Sequence, residues 1–188
     1  MDEIQAIMRL KKGDWTGLET LVHNHQLPAL HAAYLIVQDH ALAQDLVQEA
    51  FLTASQRIAQ FDETRPFRPW FLRSVINAAL KATKRQTRFI SLNGHETAET
   101  EEMAKWLADP DADLEAFIET KETRQTIRYA LKKLTPKQRA VLVMRFYLGM
   151  TADEITRELG SSLPAVKWSL HVGRARLRQL LQSLNDET

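Results

Sequence analysis

Cysteine does not occur anywhere in the 188-residue chain. That absence excludes a disulfide framework and any thiolate metal site, and it suits a reducing compartment. No apolar run approaches the roughly 20 residues that a membrane span requires, so insertion into a bilayer is not expected. The opening Met-Asp-Glu-Ile has neither the basic region nor the apolar core of a signal peptide, and the chain reads as soluble and cytoplasmic. Phosphate-cradling glycine loops and nucleophile elbows are missing too, which removes the commonest enzyme signatures. Alternating runs of β-branched residues are absent, and with them the argument for a sheet.

Acid is missing in a patterned way. No Asp or Glu lies between Glu63 and Glu96, a stretch that carries Arg65, Arg68, Arg73, Lys81, Lys84, Arg85 and Arg88. None lies between Glu158 and Asp186, where Lys167, Arg174, Arg176 and Arg178 stand. Between these stretches runs an acid-rich passage from Glu96 to Glu122. The formal net charge of +1 averages this segregation away. Two cationic surfaces on one short chain fit two contacts with a polyanion, because neutralised phosphates are the usual source of sequence-independent nucleic-acid affinity.

What is present is helical periodicity. Hydrophobic content of 44% and charged content of 26% are those of a globular chain. The expected fold is all-α: two small helical domains joined by a flexible acidic linker, the second domain carrying a helix-turn-helix. The first domain is expected over residues 10–87. Asp14 caps a helix bearing Leu18, Leu21 and Val22, and a second helix follows Pro28. A third, from near Asp39, lines up Leu42, Leu46, Val47, Ala50, Phe51 and Ala54 and turns Asp45, Gln48 and Glu49 outward. After the loop Gln60–Pro66 a long helix runs from about Phe67 to Arg88. Residues 88–113 form the linker, with turn signals at Asn93-Gly94 and Asp109-Pro110 and one helical turn near Met103, Trp106 and Leu107.

The second domain, residues 114–183, is well punctuated. Thr135-Pro-Lys-Gln138 and Thr151-Ala-Asp-Glu154 are capping boxes, and Gly149 and Gly160 stand where helices end. A short helix, the Gly160-Ser-Ser162 turn and a basic helix make the helix-turn-helix. Val166, Leu170, Gly173 and Leu177 face inward. Pro164, Lys167, Trp168 and His171 stand at the outer, leading end, with Arg174 and Arg178 behind them as clamps on the phosphate backbone. Ser161 and Ser162, with the free amides of that helix start, suit a phosphate.

The acid-free helix of the first domain interleaves Phe67, Trp70 and Phe71 with Arg68, Arg73, Lys81, Lys84 and Arg85. Aromatics among cations suit unpaired bases, each stacked base adding roughly 1–3 kcal/mol. Phe67 and Phe71, one turn apart, read as core; Trp70, beside Arg73 and Ser74, reads as the DNA candidate. The preceding loop, with Phe61, Thr64 and Arg65, suits a pocket for an extruded base.

These pieces, in this order, resemble the extracytoplasmic-function (ECF) sigma factors of bacterial RNA polymerase. Gly13-Asp14 through Leu18-Glu19, Asp45-Leu-Val-Gln-Glu-Ala-Phe51, Phe67-Arg-Pro-Trp-Phe-Leu-Arg73 through Asn77, and Leu134–Leu142 with Gly149–Ile155 and Val166–His171 carry the likeness. It implies no catalysis and no cofactor. It implies that 10–87 is sigma region 2 and 114–183 is region 4, which read the −10 and −35 promoter elements. Asp45, Gln48 and Glu49 would then dock on the clamp helices of the largest polymerase subunit, and region 4 on the flap. Trp70 would wedge at the edge of the melted DNA, Ser74 and Asn77 would touch the last duplex bases, and Lys81, Lys84 and Arg85 would hold phosphates. The linker would thread toward the active centre, and an anti-sigma factor is an implied partner.

The sequence departs from that family at Trp168-Ser169, Val172-Gly173 and Lys81. Two other readings compete. A dimeric helix-turn-helix regulator would bind duplex DNA without polymerase. A metal protein would draw on His23, His25, His31 or His40, yet His23 and His25 point about 200° apart on a helix and no motif joins them to a carboxylate.

Overall fold

A computed structural model describes residues 2–90 and 131–185, and every described element is helical. Of the linker expected over residues 88–113, residues 88–90 instead continue the helix that runs to Ile90, while residues 91–113 and the first part of the expected second domain, residues 114–130, lie outside the described residues. The chain divides into two compact units, Met1–Ala82 and Thr83–Thr188.

The first unit holds α1 (Glu3–Lys11), α2 (Thr16–Val37), α3 (His40–Arg57), a 3₁₀ turn (Ile58–Gln60) and the start of α4 (Phe67–Ile90). Helix α1 precedes the expected domain start at residue 10. It begins where the Asp2 carboxylate accepts from the Gln5 amide at 2.8 Å, and it buries Ala6, Ile7 and Leu10. Its crossing with α2 is close: a Cβ on Gly17 would lie 2.1 Å from the Ala6 carbonyl oxygen. Only hydrogen fits there.

Helix α2 corrects an expectation. The sequence splits it at Pro28; the structure carries one helix through that residue. A proline inside a helix removes one backbone hydrogen bond and costs about 3 kcal/mol. Burial on both flanks opposes that cost: Leu21 and His25 before the proline, and Ala29, Leu30, Ala32, Ala33 and Tyr34 after it, are all buried. Asp14 also acts differently from a simple cap, since Trp15 occupies the cap position. The Asp14 carboxylate instead accepts from both the amide (3.0 Å) and the hydroxyl (2.7 Å) of Thr16. Helix α2 stops at Gln38, whose backbone is left-handed at φ 59°. The Gln38 side-chain amide donates to the carbonyl of Leu35 at 3.0 Å and, at 3.3 Å, to that of Tyr34, which also accepts from the Gln38 backbone amide. Asp39 then caps α3 through the Leu42 amide at 3.0 Å.

The second unit contains α5 (Pro136–Phe146), α6 (Ala152–Leu159) and α7 (Leu163–Asn185). Both capping boxes form: Thr135 with Gln138 and Thr151 with Glu154 exchange side-chain and backbone hydrogen bonds. Gly160 adopts φ 54°, a conformation open to glycine because it has no Cβ. The amides of Gly160 and Ser161 close back onto Arg157 and Thr156, which completes a Schellman motif. Arg139 is buried and donates to the carbonyls of Leu134 and Leu131 at 2.7 and 3.3 Å. Desolvation lowers its pKa to about 10, so it stays charged at neutral pH.

His25 links folding to pH. It is buried, its Nε2 lies 2.5 Å from Glu3 Oε2, and its ring packs 5.2 Å from Phe67. Burial lowers its pKa, opposed by the Glu3 hydrogen bond and charge and assisted by the charge of Arg68. Protonation is therefore easier in the unfolded chain, which binds the extra proton once pH falls below about 6.5. Stability of the first unit should decline as pH drops through that value, and His25→Gln should flatten the decline in thermal melts between pH 7 and 5. Gly17→Ala should lower stability by about 1–3 kcal/mol in the same assay, because backbone rather than a side chain must move.

Candidate nucleic-acid and protein interfaces

Helix α4 has two faces with different chemistry. Phe67, Phe71, Leu72, Val75, Ile76 and Ala79 are buried. Ser74, Asn77, Lys81, Lys84 and Arg85 are exposed, and Trp70 and Arg73 are half-buried. Positions 70, 74, 77, 81 and 84 follow i, i+4, i+7, i+11, i+14, so these side chains rise from one stripe of the helix. The stripe passes from an aromatic ring through two hydrogen-bonding groups to cations. The Ser74 hydroxyl already donates to the Phe71 carbonyl at 2.6 Å, which leaves its oxygen as an acceptor.

Beneath the leading end of the stripe lies an aromatic cluster. Phe61 packs on Trp70 at 5.0 Å and edge-on to Phe67 at 5.6 Å; Phe67 stacks on Phe71 at 5.6 Å, and Phe71 meets Phe51 of α3 at 4.3 Å. Phe61, expected as one residue of a base-receiving loop, is only 4% exposed and forms part of the cluster's floor. The physical reason is plain: Phe67 and Trp70 give that ring an apolar seat from which water is excluded. Trp70 is held from one side by Phe61 and Phe67 and keeps its other side partly accessible.

The loop between the 3₁₀ turn and α4 is built rather than slack. Asp62 accepts from the Thr64 amide (3.0 Å) and hydroxyl (2.7 Å), and its other oxygen lies 3.3 Å from Arg65 Nε. These bonds hold the Asp62 carboxyl below its ordinary range. Thr64 and Arg65 remain exposed at the loop's surface. Lys11 of α1 reaches the same loop, donating to the Phe61 carbonyl at 2.8 Å and lying 2.7 Å from Glu63. No local sequence pattern signals that contact, which joins residues fifty positions apart.

On α3, Asp45, Gln48 and Glu49 are exposed as expected, while Ala43, Leu46, Val47, Ala50, Phe51 and Ala54 are buried. Leu52 extends the exposed row and is 57% accessible, an apolar residue the sequence reading passed over. An acidic row ending in a bare leucine suits a protein partner more than a polyanion.

In the second unit α7 buries Val166, Ser169 and Gly173. Leu170 and Leu177 are only half-buried, so the helix is rotated slightly from the expected register. A Cβ on Gly173 would come within 2.9 Å of Leu142, which is why α5 and α7 can pack so closely. Pro164, Lys167, Trp168, His171, Arg174 and Arg178 are exposed. Trp168 is 64% accessible and its ring lies stacked near His171 at 6.1 Å. The Arg174 guanidinium sits over the Phe146 ring at 5.0 Å. Ser161 accepts from Lys137 Nζ at 3.1 Å, and Ser162 accepts from the Ala165 amide at 3.4 Å. One of the amides expected to serve a phosphate is thus partly occupied. Among the described residues no group of three or more His, Asp or Glu is placed to hold a metal ion.

Comparison with known proteins matches Sigma-70 region 2 over residues 21–89 and Sigma-70, region 4 over residues 124–185. An RNA polymerase sigma-E factor of Streptomyces avermitilis is 31% identical over 171 residues, covering 91% of this chain and 88% of that protein. The ECF RNA polymerase sigma factor SigW of Bacillus subtilis is 28% identical over 183 residues, covering 96% and 97%. Among solved structures, the sigma factor RpoE of Bartonella quintana, crystallised with the anti-sigma factor NepR, aligns with a TM-score of 0.63 at 20% identity. It covers 87% of this chain and 96% of that one, and at this identity it speaks for the fold.

If Phe61 is a floor residue, Phe61→Ala should cost about 3–5 kcal/mol of stability. Thr64→Ala, at the loop surface, should cost far less. Chemical denaturation of the two variants separates them.

Proposed function

The chain belongs to the extracytoplasmic-function subfamily of RNA polymerase sigma factors, and from that premise we propose how its surfaces divide the work. As a member, it binds core RNA polymerase, recognises promoter DNA and directs transcription initiation. It is not an enzyme; the polymerase performs the covalent chemistry. Sigma regions 2 and 4 in one chain also set aside the alternative of a dimeric regulator that acts on DNA alone.

Within that role, residues 10–87 act as region 2 and residues 114–183 as region 4, joined by the acidic linker, and α1 belongs with the first. Asp45, Gln48 and Glu49 dock on the clamp helices of the largest polymerase subunit, and Leu52 extends that contact. Region 4 docks on the flap. The stripe on α4 takes the −10 element: Trp70 wedges at the edge of the melted segment, Arg73, Ser74 and Asn77 contact the adjoining bases, and Lys81, Lys84 and Arg85 hold phosphates. The loop carrying Thr64 and Arg65 receives an extruded base, with Phe61 beneath it. The outer face of α7 takes the −35 element through Pro164, Lys167, Trp168 and His171, with Ser161, Ser162, Arg174 and Arg178 on the backbone. An anti-sigma factor is the expected negative regulator, and the cytoplasm the expected place of action.

One observation carries this reading above the others: the accessible stripe of α4 begins at a half-buried Trp70 that the aromatic cluster holds in place, and continues through exposed side chains. A base stacked on Trp70 meets a ring already immobilised from behind, so little ordering entropy opposes the contact. Run-off transcription with core enzyme on genomic fragments tests the role; absence of any transcript would overturn it. On a promoter so recovered, Trp70→Ala should leave the upstream footprint intact while reducing permanganate reactivity of the melted region about tenfold. Lys167→Ala combined with His171→Ala should erase the upstream footprint, and an unchanged footprint would remove those residues from the interface.

A further inference from the structure

We propose that Lys11, in the N-terminal helix, is a positioning residue for strand separation: it holds the base-receiving loop in its working shape. The inference rests on the loop assignment made above. Three observations carry it. The Lys11 ammonium is shared between the Phe61 carbonyl (2.8 Å) and the Glu63 carboxylate (2.7 Å), the first and third residues of the loop 61–66. Its side chain is only 24% exposed and that of Glu63 36%, so the pair is partly shielded from solvent. The helix that carries Lys11 is itself immobilised at two other points, the Gly17–Ala6 crossing and the Glu3–His25 pair.

The loop needs such a brace. Its own bonds (Asp62 to Thr64, and Asp62 to Arg65) shape its middle but do not attach it to the body of the unit. Phe61 anchors the near end through its ring, and α4 begins at Phe67 beyond the far end. Lys11 supplies the polar attachment between these ends. A charge-assisted bond to a carbonyl, together with a carboxylate, is directional as well as strong. It fixes the height at which Thr64 and Arg65 stand over the aromatic floor. A pocket that must be in place when a base leaves the stack gains from that fixity, since a slack loop would have to order itself as the base arrives.

The test uses the full chain bound to core enzyme, and fork-junction DNA from a promoter recovered by run-off. Each nucleotide of the single-stranded overhang is replaced in turn by an abasic site, and binding is measured. The wild-type protein should show one position where losing the base weakens binding about tenfold. Lys11→Met keeps the aliphatic stem and should cut that penalty below about threefold, with core-enzyme affinity and melting temperature essentially unchanged. Lys11→Arg should restore most of it, and Glu63→Gln should lose part, since the Phe61 carbonyl bond survives. A full penalty in Lys11→Met overturns the proposal, as does equal loss in Lys11→Arg. A wild-type protein that initiates transcription but shows no abasic penalty at any position overturns both the base pocket and the brace, leaving the sigma role standing. A wild-type protein that initiates nothing overturns that role instead.

Discussion

The first unit depends on a chain of aromatic contacts that begins at His25 in α2 and ends at Trp70 on the surface of α4. His25 meets Phe67, Phe67 stacks on Phe71, Phe71 meets Phe51 in α3, and Phe61 and Trp70 close the outer end. Helices α2, α3 and α4 and the loop before α4 each contribute a ring. Aromatic pairs at these separations add about 0.5–1.5 kcal/mol each beyond the area they bury. Their more important effect is geometric. Rings in edge and stacked contact cannot slide independently, so the azimuth of α4 is set relative to α2 and α3. That azimuth decides which residues of α4 face outward. The stripe from Trp70 to Lys84 is therefore a consequence of how Phe67 and Phe71 are seated, and no separate device is needed to present it.

Much of this was legible in the sequence, and the reason is locality. Capping boxes, the glycine at the end of α6 and the apolar stripe of α3 depend on residues within one or two turns of each other, and they appear as expected except that Leu42 is only half-buried. The outward placement of Asp45, Gln48 and Glu49 followed from the same periodicity. What escaped was governed by packing and bonding that no repeating pattern announces. Pro28 should end a helix by intrinsic preference, but burial on both sides carries the helix through. Gln38 takes a left-handed backbone usually left to glycine, with its own amide closing the helix end. Helix α1 is short, and its place depends on a crossing with α2 that only Gly17 permits. Phe61 looked like part of a base-receiving loop because its seat is made by residues that follow it around a turn. Lys11 gave no sign at all.

The second unit solves a different problem with fewer resources. Its described core is aliphatic, built on Ala140, Val141, Leu142, Val143, Met144, Ile155 and Val166. Helices α5 and α7 approach closely where Gly173 faces Leu142, and α6 is fixed at both ends by backbone-directed hydrogen bonds. Buried Arg139 donates to the Leu134 carbonyl ahead of α5 and adds a second, longer bond to the Leu131 carbonyl, which already accepts from the Leu134 amide. On the outer face of α7, Arg174 over the Phe146 ring and Arg176 on the Lys133 carbonyl still tie the helix to the unit, while the exposed leading end at Lys167, Trp168 and His171 lies outside the core.

That leading end bears on how the two units recognise DNA. Trp168 and His171 are exposed, and the nearest buried positions along the helix are Val166, Ser169 and Gly173. Substitution there changes what the helix touches without disturbing what holds it, so this face can diverge readily between relatives. Trp70 is in the opposite position. Its ring is part of the aromatic cluster and part of the accessible stripe of α4, and any change alters both. A surface that reads sequence in duplex DNA needs variability, whereas one that separates strands needs a rigid stage, because unstacking a base costs a few kcal/mol that only a preformed site offsets. The packing fits the division of labour proposed above: an aliphatic core behind α7, and interlocked aromatic rings behind α4.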